Sequence, residues 1–115
     1  MKELDIGGKV LRVKATPLTL LFYKQEFNHD LIGDLGRMVD SEKDMSRFDA
    51  LIFLQVVWAM NKTCDYKNIP DFKTWLSEFD EFDFSDAEML SEIMEEARKG
   101  FFRKAKIGTR RGKQS

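Results

Sequence analysis

Apolar residues are most concentrated at residues 50–60, ALIFLQVVWAM, where Gln55 alone is not apolar. A surface helix in a small protein normally shows one apolar stripe. The segment is about half as long as a helix that spans a bilayer. The pattern therefore predicts a helix from about Arg47 to Thr63. That helix either lies at the centre of the fold, surrounded by the other elements, or carries apolar surface for another chain.

Two local patterns bear on this helix, which is the third of the predicted helices in chain order. Ser46, with Asp49 three residues later, resembles a capping box at its start. The least apolar strip of the helix consists of Arg47, Leu51, Gln55, Trp58 and Lys62. Leu51 and Trp58 stand between polar members of that strip, so a buried central position accounts for them less well than for the rest of the helix.

Apolar residues alternate on both sides of Gly7-Gly8 and predict an N-terminal β-hairpin. Leu4 and Ile6 alternate on the first arm, and Leu11 and Val13 alternate on the second.

A first helix is predicted after Thr16, a good N-cap, with Pro17 in its first position and Asn28 at its end. Its apolar residues form two faces rather than one. The first face holds Leu18, Leu21 and Phe22, and the second holds Leu20, Tyr23 and Phe27. Only one face can pack on the core unless the helix is sandwiched. We expect the second face to meet a second copy of the chain or a partner.

Three more helices follow from start signals and spacing. They begin near Asp30, near Pro70 and after Ser85, which forms a capping box with Glu88. Their apolar positions are Leu31, Leu35, Met38 and Val39; Phe72, Trp75, Leu76 and Phe79; and Leu90, Ile93, Met94, Ala97 and Phe101. The predicted fold is mainly α: a five-helix single domain with an N-terminal hairpin over residues 1–107, followed by a disordered basic tail at residues 108–115.

Charge is divided unevenly along the chain. Residues 1–97 carry 11 Lys or Arg and 20 Asp or Glu, whereas residues 98–115 carry eight Lys or Arg and no acid. Basic residues beside Phe101 and Phe102 allow phosphate contact and base stacking. A small nucleic-acid-binding or regulatory protein that uses this tail is therefore the alternative function. The acidic body would repel phosphates elsewhere, which makes a nucleic-acid partner the less favoured of the two.

No catalytic, metal or cofactor site is predicted. His29 is the only histidine and Cys64 the only cysteine, so neither has the partners that catalysis or metal binding requires. The nine carboxylates between Glu78 and Glu96 read as a solvated helix face. A single cysteine and an N-terminus without a signal-peptide pattern favour a reducing, cytoplasmic setting and no membrane association.

Three segments together resemble the tail assembly chaperones of long-tailed bacteriophages and prophages. They are ATPLTLLFYKQEFNHDLIGDL, FLQVVWAMNKTCD and PDFKTWLSEFDEFDF, within about residues 10–85. The family tends to show an E-F-G-x-D-like turn, a helix ending in W-A-M, and a P-x-F-x-x-W-L segment. Asn28 stands at the glycine position of that turn, and asparagine also adopts the left-handed conformation.

The resemblance implies a non-enzymatic, mostly helical protein that binds the tape measure protein before the tail tube polymerises around it. Members are absent from the finished virion. Many also exist in a longer, frameshifted form that recruits tail tube subunits. A protein that covers a long apolar partner needs apolar surface beyond its own core.

We therefore predict that the partner contacts come from the surplus apolar positions, with self-association as a further possibility. The candidate partner-binding residues are Leu20, Tyr23, Phe27, Leu51, Trp58 and Phe102.

Overall fold

The computed structural model describes residues 1–6, 8–40 and 49–111. Its elements are β1 (Lys2–Ile6), β2 (Lys9–Val13), α1 (Pro17–Phe27), α2 (Leu31–Asp40), α3 (Ala50–Cys64), α4 (Phe72–Ser77) and α5 (Ala87–Arg111). The fold is mainly α with an N-terminal antiparallel hairpin, as predicted.

The hairpin is held to α3 by its backbone as well as by its apolar face. Strands β1 and β2 pair in the register Ile6 with Lys9, so the four predicted apolar residues of the two arms share one buried face. The side-chain amide of Asn61 donates to the carbonyl of Arg12 at 2.9 Å. The N–H of Lys14 donates to the carbonyl of Met60 at 3.2 Å. The β2 strand is thus fixed against the carboxyl-terminal half of α3.

The ends of α1 match the sequence prediction. The hydroxyl of Thr16 accepts from the N–H of Leu18 at 3.1 Å, and the hydroxyl of Thr19 accepts from the N–H of Thr16 at 3.0 Å. At the other end, Asn28 has the left-handed conformation, with a φ of 56°. Its N–H donates to the carbonyl of Lys24.

The start of α2 was also predicted. The carboxylate of Asp30 accepts from the N–H groups of Ile32 and Gly33, at 3.2 and 3.3 Å. These bonds satisfy two of the amide groups that a helix start leaves without a partner.

The α3 helix lies at the centre of the fold. Its buried residues are Phe53, Val56, Val57, Trp58, Ala59, Met60 and Asn61. It begins at Ala50, later than predicted, because Asp49 has an extended backbone and its carboxylate accepts from the N–H groups of Leu51 and Ile52. Ser46 and Arg47, which the sequence placed at the helix start, lie outside the described residues.

The last helix is capped by a different residue from the predicted one. The carboxylate of Asp86 accepts from the N–H of Met89 at 3.1 Å. Ser85 instead donates its hydroxyl to Asp83, 2.5 Å away, and this bond lowers the pKa of the Asp83 carboxyl. The Ser85 capping box was therefore a wrong prediction, because a nearer carboxylate takes the hydroxyl.

The backbone of α5 continues to Arg111, beyond the boundary predicted at residue 107, and is interrupted at Phe102, where φ is −124° and ψ is 15°. Residues 112–115 lie outside the described part of the chain, so the predicted disorder of the tail stays a prediction.

Candidate interaction surface

The inner face of α1 is built around the hydroxyl of Tyr23. This hydroxyl donates to Oδ2 of Asp34 in α2 at 2.6 Å and lies 3.1 Å from Oε1 of Gln55 in α3. Tyr23 is fully buried, and Asp34 is 2% exposed. Burial, followed by the hydrogen bond to Asp34, raises the pKa of Tyr23 far above its ordinary value. The group thus stays protonated and joins three helices.

Asp34 has two further partners. Arg37 forms an ion pair with Oδ1, and Nδ1 of His29 lies 3.5 Å from Oδ2. Polar groups from α1, from α2 and from the turn between them therefore lie around its carboxylate. A carboxylate engaged in this way stabilises the fold and is not open to a substrate.

Aromatic rings fill the space between α1, α3 and α4. Ring centroids are 5.4 Å apart for Phe27 and Trp58, 5.0 Å for Phe27 and Phe72, and 6.3 Å for Trp58 and Phe72. The indole N–H of Trp58 donates to the carbonyl of Pro70 at 2.9 Å. The indole of Trp75 donates to Oδ1 of Asn61 at 3.0 Å. We call Phe27, Trp58, Phe72 and Trp75 the aromatic cluster.

The predicted outward face of α1 is in fact its inward face. Tyr23 is fully buried and Trp58 is 1% exposed, while Leu20 and Phe27 are half-buried against the core. The prediction that Tyr23 and Trp58 are accessible to a partner was wrong, whereas the partner role of the half-buried Leu20 and Phe27 stays a prediction. Both faces of α1 are apolar, so the stripe pattern could not distinguish them. The hydrogen bonds of Tyr23 and Trp58 with α2, α3 and the segment before α4 decide the outcome.

The exposed apolar residues of α1 belong to its first face. Leu18 is 37% exposed and Leu21 is 49% exposed. Phe22 is half-buried, and its ring centroid lies 6.1 Å from that of Tyr66, which is 53% exposed in the turn after α3. We call Leu18, Leu21, Phe22 and Tyr66 the α1 surface. No pattern in the sequence marks Tyr66 as a neighbour of α1.

The structure also gives the positions of the two remaining candidate residues, Leu51 and Phe102. Leu51 is 52% exposed in the first turn of α3. Phe102 is half-buried against the core at the irregular residue of α5. Their role in partner binding stays a prediction. The side chains of residues 103–111 lie outside the described ones, so the nucleic-acid alternative based on the basic tail also stays a prediction.

The lone cysteine lines a groove of about 240 Å³ between β2, α3 and α4, together with Asn61 and Trp75. Cys64 is half-buried, and burial raises the pKa of its thiol. A raised pKa reduces the thiolate fraction that nucleophilic chemistry needs. His29 has its side chain 62% exposed at the end of α1, as expected of a surface residue.

Within residues 1–6, 8–40 and 49–111, no three His, Cys, Asp or Glu side chains are grouped so as to hold a metal ion. The same described residues include no helix with the length and apolar character needed to cross a membrane. Comparison with protein-family models, with curated proteins and with solved structures gave no match to this chain.

Proposed function

We propose that this chain is a phage tail assembly chaperone that binds the tape measure protein. The proposal rests on one observation: aromatic residues from all three segments that carry the resemblance lie together in the structure. Phe27 comes from the E-F-N-x-D turn, Trp58 from W-A-M, and Phe72 and Trp75 from P-x-F-x-x-W-L. These three segments are separated in the chain, yet their aromatic residues form the aromatic cluster.

Two features of this arrangement support a shared origin of the three motifs. Residues that pack against one another constrain one another, whereas chance similarities in separate segments need not meet in space. The turn position where the family tends to show glycine is held here by Asn28 at a φ of 56°. Glycine and asparagine are the residues that adopt this conformation most readily, so the substitution keeps the turn.

The α1 surface supplies the apolar contact area that such a chaperone requires. Leu18 and Leu21 are accessible on the same helix that fixes its other face in the core. Contiguous exposed apolar side chains are typical of interaction sites, which supports the proposal. A non-enzymatic binding role needs no more chemistry than this.

The proposal includes the setting that the resemblance implies. The chain acts in the cytoplasm of the bacterial host and leaves the tape measure protein before the virion is complete. A longer, frameshifted form would bring tail tube subunits to the same complex.

Co-expression with the tape measure protein of the same phage or prophage tests the function. We expect the tape measure protein to accumulate in the soluble fraction and to co-purify with this chain. A tape measure protein that remains insoluble and unbound beside a folded chain would overturn the proposal. Retention on a DNA column that salt abolishes, and that deletion of residues 103–115 also abolishes, would favour the nucleic-acid alternative instead.

A further inference from the structure

The two ends of α4 are held by contacts of different kinds. At its start, the N–H of Phe72 donates to Oε2 of Glu26 in α1 at 2.9 Å. The Phe72 ring also packs against that of Phe27, with the centroids 5.0 Å apart. At its end, Oε1 of Glu78 lies 2.8 Å from Nζ of Lys9 in β2. Ring packing thus helps to fix the start of α4, whereas an ion pair ties its end to the hairpin.

The groove beside Cys64 separates the end of α4 from β2. Its lining of about 240 Å³ includes both members of this ion pair, Lys9 on the β2 side and Glu78 on the α4 side. The ion pair therefore spans the groove from one wall to the other. Side-chain packing between the two walls is incomplete there, so apolar burial contributes less to holding them together than it does at the start of α4.

The contact across the groove is a weak one. The side chains of Lys9 and Glu78 are 42% and 41% exposed, and exposed ion pairs contribute little and are screened by salt. The ammonium of Lys9 also lies 5.4 Å from the ring centroid of Phe79, so one side chain makes both contacts. The α4 helix has six residues, far fewer than an isolated helix needs, so its position depends on contacts such as these.

We propose that α4 is a strap whose carboxyl-terminal end moves away from β2 and widens the groove, with the Lys9–Glu78 ion pair as the latch that favours the closed form. The indole of Trp75, which donates to Asn61 at 3.0 Å, keeps the middle of α4 on α3. The movement is therefore confined to the end of the helix and the residues that follow it. Local openings of this kind occur where few buried apolar contacts hold a segment. Opening increases the exposure of Cys64.

The reactivity of Cys64 tests the strap, because this residue lines the groove and is the only cysteine in the chain. Its alkylation by iodoacetamide, an uncharged reagent, is followed by mass spectrometry of the folded full-length chain. Loss of an exposed ion pair shifts an opening equilibrium by about two- to fivefold. We expect Lys9→Gln and Glu78→Gln each to react faster by that factor. High salt should accelerate the wild type in the same way and leave both variants little changed.

A direct electrostatic effect on the thiol would change the rate in the opposite direction. Burial raises the pKa of Cys64, and the positive charges of Arg12 and Lys14 partly offset this. Neutralising Lys9 or adding salt weakens the positive field around the thiol, which reduces its thiolate fraction and slows alkylation. A faster reaction after either change therefore reports opening of the groove.

Two further variants serve as controls, and circular dichroism melting checks that each is folded. Lys2→Gln removes the ion pair that joins the same hairpin to Glu92 in α5, 3.5 Å away, and neither residue lines the groove. It should react as the wild type does. The double variant Lys9→Glu, Glu78→Lys restores the pair with its charges exchanged, so its rate should return towards that of the wild type.

Three outcomes would overturn the inference. An unchanged rate for Lys9→Gln and Glu78→Gln would mean that the ion pair does not control access to the groove. Equal acceleration by Lys2→Gln would assign the reaction to opening of the whole hairpin. A charge-exchanged variant that reacts as fast as Lys9→Gln would show that the pair is not the latch.

Discussion

The two faces of α1 differ in the opposite sense to an ordinary amphipathic helix. The inner face buries two hydroxyl-bearing residues, Thr19 and Tyr23, whereas the outer face exposes two leucines, Leu18 and Leu21. Hydrophobic content alone would not choose between these faces. The difference shows that the packing of this helix is decided by polar atoms that find partners, with apolar burial available to either face.

The hydroxyl of Thr19 illustrates how specific those partners are. It lies 2.5 Å from the hydroxyl of Thr63 in α3 and donates to the carbonyl of Lys14 at 3.1 Å. A buried hydroxyl without a partner costs about 1–3 kcal/mol. Rotating α1 to bury its leucines would break these bonds, so the inner face has one orientation that satisfies it. The outer face has no such requirement.

The largest effect should come from Trp58, which the sequence placed with the interface candidates and the structure places in the core. We expect Trp58→Ala to lower the free energy of unfolding by about 3–5 kcal/mol, because a large cavity opens between α1, α3 and α4. Urea unfolding followed by circular dichroism measures this. A variant that stays as stable as the wild type but loses its partner would restore Trp58 to the interface.

Local signals in the sequence predicted the ends of α1 and the start of α2. Thr16, Pro17, Asn28 and Asp30 each act within a few residues of themselves, so their roles can be read without knowing the fold. The hairpin was likewise predicted, from alternation. The apolar third segment predicted a helix that lies at the centre or carries surface for another chain, and the structure places it at the centre.

The misassigned positions depend on contacts between distant segments. The side chain that accepts from Tyr23 is 11 residues away along the chain, and the carbonyl that accepts from Trp58 is 12 residues away. Nothing near Tyr66 in the sequence indicates Phe22 as its neighbour. Tyr23 and Trp58 were therefore predicted to be accessible although both are buried, because hydrogen bonds to distant segments decide which face of the helix is buried.

Two glycines in helices differ in how closely the rest of the chain approaches them. A methyl group on Gly100 in α5 would overlap the carbonyl oxygen and the Cβ of Ala15, whereas one on Gly36 in α2 would meet no atom of the described residues within 4 Å. We expect Gly100→Ala to cost about 1–3 kcal/mol through overpacking. The matched variant Gly36→Ala should gain about 0.5–1 kcal/mol from helix propensity. Thermal melting of both variants measures the difference, and equal stabilisation would mean that α5 does not approach Ala15.

Removal of one oxygen tests the inner face of α1. Tyr23→Phe leaves Asp34 and Gln55 without the hydroxyl, and we expect a loss of about 1–2 kcal/mol at neutral pH, measured by urea unfolding. No loss would mean that water or Arg37 replaces the hydroxyl at no cost.

The same variant should change the response to alkaline pH. The folded state raises the pKa of Tyr23 above its unfolded value of about 10. The unfolded chain therefore releases this proton first, so stability is full below about pH 10 and falls above it, by up to about 1.4 kcal/mol per pH unit. Tyr23→Phe lacks this contribution and should lose stability less steeply. The other ionisable groups are present in both proteins, so the difference between the two pH profiles isolates the contribution of Tyr23.

The smallest effect on stability should come from the outer face of α1. Leu21→Gln keeps a good helix former and removes a half-exposed apolar side chain, so we expect a change within about 0.5 kcal/mol. Leu51→Gln, at the similarly exposed leucine of α3, should be equally mild. The pair separates two candidate surfaces, since co-purification with the tape measure protein should fail for Leu21→Gln and persist for Leu51→Gln. The reverse result would move the interface to the start of α3. A large loss of stability for Leu21→Gln would mean that α1 buries both of its faces, and the contrast between them would no longer hold.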